Sequence, residues 1–487
     1  MLIRDAELDF GARRADVRVR DGVVVDVAAH LSRETGEPEV QAAGAALIPA
    51  LRDHHLHLFA TAAAQASVDC APPAVTSLGT LGAALRAADA ALPAGDMVRG
   101  IGFDDAVTGD GRPLQRDHLD ALLPHRPVRL QHRTGRLWVL NSAALERVGA
   151  LPEEAPAERI GGRPNGRFLD ADDWLRARLG GRRPSLARLS RQLADWGVTA
   201  VTDTGHANNR DTWAALAQAR ADGSLLQQVM VMGDDSLNQA LPAQPGLRLG
   251  ARKFHLHEQD LPPLPAVAAA IRAAHAAGRG AAFHCVTEAE LVFALGALEA
   301  AGGGARDRIE HAALVSPAVA AMLAASAVTV VTQPGFIRTR GDRYRATVPE
   351  ADQPWLYRLQ GLVDAGIELA LSSDAPYGSP DPWQGMQAAV TRQTDSGAVL
   401  GPDEALSPEA ALAGYLGSLD APARARRVAV GMPADLCLLP APWAALRGDL
   451  GAVRPQRVWQ RGRSLLPGES GVDFTSMEEA GGAQDSA

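Results

Sequence analysis

Leu51-Arg52-Asp53-His54-His55-Leu56-His57-Leu58 reads as an extended segment. Successive side chains on such a segment point to opposite faces, so His55 and His57 project together as a chelating pair while His54 turns away. Taken as a first strand, this stretch completes a repeat. Short apolar strands at Val198 to Asp203, Gln227 to Met232, Leu247 to His257, Ala281 to His284, Ile309 to His311, Val328 to Gln333 and Ile367 to Ser373 are each followed by an alanine-rich helical pattern. Repeated strand-then-helix units predict a parallel sheet, and eight of them predict a closed (β/α)8 TIM barrel of the α/β class.

The flanks have a different texture. Alternating apolar runs such as Ala15 to Arg20 and Gly22 to Val27 recur near the other end at Ala434 to Leu439 and Arg457 to Arg463, which predicts one small β-sandwich domain from residues 1–49 and 420–467. The barrel then occupies 50–419. Residues from about 59 to 184 do not fit the repeat and exceed a barrel loop, so they predict an inserted subdomain over the barrel mouth that shapes substrate access. The Gly-, Ser- and acid-rich tail, 468–487, is expected to be disordered.

Composition excludes several classes. With 46% hydrophobic and 22% charged residues, the 487-residue chain is globular. Its net charge of −9, without a basic stripe, argues against a nucleic-acid partner. No signal pattern opens the chain and no apolar run approaches the length that spans a bilayer, so a cytoplasmic protein with no membrane partner is expected. Three scattered cysteines, Cys70, Cys285 and Cys437, fit a reducing compartment. The sharpest fact concerns lysine: among 48 basic residues Lys253 is the only lysine. Arginine serves wherever a positive charge suffices, whereas a buried lysine can lose its proton and react.

Other candidate ligands accompany the histidine pair. His284 ends the run Gly280-Ala281-Ala282-Phe283, His311 follows Arg308-Ile309-Glu310, and Asp374 follows Leu369-Ala370-Leu371-Ser372-Ser373. Each closes a predicted strand, and the carboxyl ends of barrel strands form the active-site face. Polar groups gathered there are costly unless they bind metal or one another. Imidazole and carboxylate suit zinc, manganese, iron or nickel. Four histidines and an aspartate exceed the three protein ligands of an open catalytic zinc site, which points to a second ion. Two such cations repel and need an anionic bridge; a lysine amine that has captured carbon dioxide is a carbamate, and Lys253 lies on the fourth predicted strand. His255 and His257 share a face there and read as neighbours that hydrogen-bond to the ligands. Cys285 faces the helix layer. His118, His125, His132, His206 and His275 fall in helical or loop contexts and receive no role.

This order of His-x-His, barrel lysine, two later histidines and late Asp, with small-sheet segments at both ends, resembles the amidohydrolase superfamily. Within it the chain is similar to the long-insertion amidohydrolase family 3 branch, the N-substituted formamide deformylase-like proteins. The matching stretches are Arg116 to Asp120, Trp138 to Ser142, Gly197 to Asp203, Arg308 to His311, Gln333-Pro334 and Ser373 to Pro376. The resemblance implies His55 and His57 on one ion, His284 and His311 on the other, carbamylated Lys253 between them, and Asp374 as ligand and catalytic proton shuttle. Two divalent ions, zinc foremost, are the implied cofactors. The chain departs from the family at Pro49-Ala50, where Pro-Gly is usual, and at Arg136, where the insertion motif has His; the second departure bears on substrate contacts.

The activity expected is hydrolysis of a carbon–nitrogen bond in a non-peptide amide, formamide or cyclic amide by metal-activated water, with Asp374 moving the proton. Arg136, Trp138, Asn141, Gln333, Arg340 and Tyr377 are candidates to grip this small-molecule substrate, by position alone. The competing readings are a mononuclear aminohydrolase that deaminates a heterocycle and leaves Lys253 unmodified, a lactone or ester hydrolase, and a non-catalytic scaffold. Oligomeric state is not legible in the sequence, though dimers are common for such folds and a homodimer is one possible assembly.

Overall fold

The computed structural model describes residues 1–180, 183–239, 241–304 and 306–466. Eight parallel strands form its centre: β1 (Leu51–Leu56), β2 (Val198–Asp203), β3 (Gln228–Gly233), β4 (Leu247–His255), β5 (Ala281–Cys285), β6 (Arg308–His311), β7 (Thr329–Thr332) and β8 (Glu368–Leu371). They pair in chain order from β1 to β8. The end of β8 returns to the end of β1, where Asp374 N donates to His55 O at 2.8 Å and His57 N to Ala375 O at 2.9 Å. The (β/α)8 expectation is met, with each predicted strand recovered to within a few residues at either end.

Local sequence explains the helices that follow. Thr287 and Glu290 form a reciprocal capping box at the start of Glu288–Ala301, and Ser316 with Pro317 starts Pro317–Ala325. These helices and Leu264–Ala276 bury Ile271, Leu291, Leu298 and Leu323 against Phe254, Phe283, Ile309 and Val330 of the strands. Cys285 lies in this same apolar layer, on the helix side of its strand as alternation requires.

Both chain ends build a two-sheet sandwich. One sheet orders Val23–Ala28, Arg13–Arg20, Leu2–Leu8 and Glu39–Gln41; the other orders Arg463–Ser464, Arg457–Gln460, Leu436–Leu438 and Leu47–Pro49. Their apolar faces share a core of Ile3, Val17, Val19, Val24, Leu47, Leu436, Leu438 and Trp459. A buried ion pair, Arg52 Nη2 to Asp435 Oδ2 at 3.0 Å, ties β1 to the C-terminal segment.

The chain divides into two compact units. One comprises Met1–Leu58 with the described residues from Leu186 onward, and the other is Phe59–Ser185. The second unit has a six-stranded sheet ordered Ala157–Ile160, Arg163–Leu169, Leu137–Leu140, Val128–His132, Val98–Phe103 and Val68–Asp69. Its core gathers Leu81, Leu85, Phe103, Leu119, Leu130 and Val139. The tail expected to be disordered, 468–487, lies outside the described residues.

Candidate metal centre

All six candidate ligands lie in the barrel unit at the carboxyl ends of strands or just beyond them. His55 Nε2 and His57 Nε2 stand 3.4 Å and 3.3 Å from Asp374 Oδ1. Among the described residues, these three are the one group of His, Cys, Asp or Glu whose ligand atoms lie within 4.8 Å of one another. Asp374 Oδ1 is buried and takes no hydrogen bond. Two imidazole nitrogens converging on one buried carboxylate oxygen form a donor set of the kind that holds a divalent metal, so the residues fit such an ion. Burial would raise the Asp374 carboxyl, but His55 and His57 outweigh it and hold it well below the ordinary range.

Backbone strain aims two of these groups. Asp374 has φ 51°, and His311 with the following Ala312 has φ 73° and 47°. Left-handed backbone at a non-glycine residue costs on the order of 1–3 kcal/mol and persists where its surroundings over-determine it. For Asp374 those surroundings include the Asp374 N to His55 O bond that closes the barrel.

The other predicted ligands surround this group. The His311 and His284 rings are 4.4 Å apart edge to face, and the His55 ring is 4.8 Å from His311. Burial pushes His311 down to about 3 and His284 well below its usual value, so both are neutral imidazoles with a lone pair to offer. His311 Nδ1 is held by Gln333 Oε1 at 2.8 Å, and Gln333 Nε2 donates to Ser372 Oγ at 3.0 Å. Lys253 is 6% exposed and its Nζ has no hydrogen-bond partner. Burial lowers its ammonium to about 8.

Two residues of the centre were missed from the sequence. Glu310 is wholly buried; its Oε2 lies 2.6 Å from His55 Nδ1 and its Oε1 2.9 Å from Arg308 Nε. Burial opposes its ionisation, but Arg308, Lys253 and His55 hold the carboxyl well below its ordinary range. It orients His55 as carboxylates orient metal-binding histidines in general. The signal was present, since two charged residues at alternate positions of a barrel strand must share one face. Asp53 was passed over too: its Oδ1 accepts from His55 N and Ser373 N, each at 3.1 Å, while burial raises it to about 6.

The six candidate substrate contacts are scattered. Gln333 is consumed by His311 and Ser372. Tyr377 presents its ring edge to His57 at 5.9 Å, and Arg340 covers the Phe336 ring at 3.7 Å while donating to Tyr377 O at 3.1 Å. In the other unit, Arg136 pairs with Asp170. Trp138 is buried there beneath Arg129, donating to Asp172 Oδ1 at 3.0 Å. Asn141, also buried, accepts from Val128 N and Ala144 N and donates to Leu123 O and Arg126 O, so its amide is fully used within the chain.

Comparison with known proteins places the chain in a family. The amidohydrolase family profile matches residues 39–465. The N-substituted formamide deformylase of Arthrobacter pascens is 27% identical over 435 residues, spanning 76% of this chain and 78% of that protein. An uncharacterized metal-dependent hydrolase from Pyrococcus horikoshii superposes with a TM-score of 0.75 at 21% identity, covering 93% of this chain and 99% of the other. N-isopropylammelide isopropylaminohydrolase from Burkholderia multivorans superposes with a TM-score of 0.53 at 17% identity, covering 95% and 97%. At these identities the superpositions establish a shared fold.

Proposed function

This chain belongs to the amidohydrolase family and hydrolyses carbon–nitrogen bonds other than peptide bonds; from that premise we propose that its substrate is an N-substituted formamide or related N-acyl or cyclic amide, and that two divalent ions, zinc foremost, serve the reaction. The reading assigns His55, His57 and Asp374 to one ion and His284 and His311 to the other, with carbamylated Lys253 between them. One observation carries it: His55 and His57 converge on the hydrogen-bond-free Asp374 Oδ1, while the buried Lys253 Nζ, in the same interior, also lacks a partner. Formamides come first because of the likeness to the Arthrobacter pascens enzyme.

When bound, the ions supply an acidified water and a polarised carbonyl. The chain's own groups do the rest. Asp374 accepts the proton that water loses as its oxygen bonds to the carbonyl carbon, and delivers it to the nitrogen as the carbon–nitrogen bond breaks, so that an amine and not an amide anion departs. Glu310 and Gln333 hold the His55 and His311 rings. Tyr377, with its ring against His57, and Arg340, bonded to the Tyr377 carbonyl, grip the substrate.

A second reading, the mononuclear aminohydrolase, is favoured by one fact: only His55, His57 and Asp374 bring three ligand atoms within 4.8 Å among the described residues. Metal analysis with native mass spectrometry on the protein and on Lys253→Ala, purified with bicarbonate, separates the two. About two equivalents falling to one or fewer supports the bridged pair; about one equivalent, untouched by the substitution, leaves the deaminase reading.

A further inference from the structure

Beyond the catalytic ions, we propose that His206, His255 and His257 form an accessory site for a borderline divalent cation such as zinc, nickel or copper. The proposal starts from a duplication. His255-Leu256-His257 repeats the spacing of His55-Leu56-His57, and His257 has φ −135° and ψ 122°, extended backbone that directs the two rings to one side. Their centroids are 4.5 Å apart, against 5.7 Å for His55 and His57. The chain thus carries the same chelating element twice, on strands β1 and β4, at the same end of the barrel.

A third imidazole completes the element. His206, on the loop after β2, places its ring 4.7 Å from His255. From the opposite side His255 meets His284, its register partner on β5, at 4.5 Å. Ring contacts of this kind stabilise chiefly where side chains are buried together. His206 and His255 are solvent-exposed and His257 partly so, which leaves such packing little to contribute. Solvent-facing imidazoles crowded at van der Waals distance do have a use in common, because imidazole nitrogen is a preferred donor for zinc, copper and nickel. His206 and His257 flank His255; their ligand nitrogens do not all lie within 4.8 Å of one another, so the proposed site requires rotation of the His206 and His257 side chains.

This site adds to the proposed reaction centre and shares none of its assigned ligands, so the two stand or fall separately. The test loads the full-length protein with zinc, exchanges it into metal-free buffer, and counts bound ions by native mass spectrometry. Wild type, His206→Gln, His255→Gln, His257→Gln, Lys253→Ala and the exposed control His125→Gln are compared. Copper(II) is then added to the zinc-loaded proteins and its nitrogen coordination read by electron paramagnetic resonance. The expected result is one zinc equivalent beyond the catalytic complement in wild type, His125→Gln and Lys253→Ala. That equivalent is lost from His255→Gln and His257→Gln and weakened at least about tenfold in His206→Gln, with multi-nitrogen copper coordination lost in parallel. Equal counts and equal copper spectra in wild type, His206→Gln and His257→Gln overturn the site, because these two changes lie at solvent-facing side chains where folding is not at stake. Loss of ions in Lys253→Ala alone supports the bridged pair and sinks the accessory site; loss in the histidine variants alone does the reverse.

Discussion

Glu310→Gln keeps the shape of a buried side chain and removes one charge whose use is already fixed. One carboxylate oxygen lies 2.6 Å from His55 Nδ1 and the other 2.9 Å from Arg308 Nε, with the residue wholly shielded from water. Two losses follow. At His55 a charge-assisted hydrogen bond worth roughly 1.5–3 kcal/mol becomes a neutral one worth about 1 kcal/mol. The imidazole is then less basic and less firmly aimed, and loss of such an orienting partner ordinarily weakens metal binding by about 10–100-fold, or about 1.4–2.8 kcal/mol. At Arg308 the guanidinium loses its buried counter-charge. Breaking a buried pair by removing one partner costs about 3–5 kcal/mol, and the retained amide oxygen puts the expected loss near the lower figure. Chelator competition measures the first effect, and denaturant unfolding with chelator present measures the second without metal linkage. Metal affinity within about twofold of the native value would refute the claim that Glu310 aims His55. An unchanged unfolding midpoint would refute the buried pair.

Further outcomes follow from other contacts. Gln333→Ala releases His311 Nδ1 from its 2.8 Å partner and should weaken binding of one metal equivalent by about tenfold; chelator titration that shows a single undisturbed phase refutes this. Lys253→Arg should lose metal to the same extent as Lys253→Ala, because guanidinium forms no carbamate, and retention of metal by the arginine variant in native mass spectra contradicts the bridge. Asn141→Ala removes four hydrogen bonds, one of which is the cap of the helix that follows. It should destabilise the Phe59–Ser185 unit by roughly 2–4 kcal/mol while KM stays put; a raised KM with normal stability would return Asn141 to the substrate. The three cysteines are buried, and burial pushes the Cys70 thiol up to about 12, so none should alkylate at about pH 8 until the protein is unfolded.

The barrel was legible because its periodicity is redundant. Eight strands each end in a helix signal, and an error at one boundary leaves the count intact. The gathering of the candidate ligands at one end of the barrel was legible for a related reason, since strand-end residues of one sheet converge wherever the sheet closes. What resisted reading was the choice of partner for each polar group. Trp138, Asn141 and Arg136 attract notice as polar or aromatic residues in an insertion. Their partners, Asp172, the Leu123 and Arg126 carbonyls, and Asp170, lie up to 34 residues away on elements whose pairing no local pattern specifies. Glu310 shows the converse. It looks like a strand's stray charge beside a ligand, and only the fold brings it to His55 across 255 residues of sequence.

Charge balance ties the chemistry of Lys253 to the number of ions. Arg308, Glu310 and Asp374 are buried around it, one cation and two anions. An ammonium at Lys253 would neutralise the group, yet a buried ammonium normally secures hydrogen bonds, and this Nζ has none. A neutral amine leaves one net negative charge, which a single divalent ion overshoots to one positive charge. A carbamate would leave two net negative charges, which one ion would balance and two ions would overshoot by two. On this count the carbamate matches a single ion, whereas a second ion beside Arg308 would be far too positive without the carbamate, so the proposed second ion depends on the bridge while the bridge does not depend on it. Arginine at this position could only add to the positive side. In a chain that uses arginine for every other basic residue, the lysine keeps at this site the one basic side chain whose positive charge can be removed.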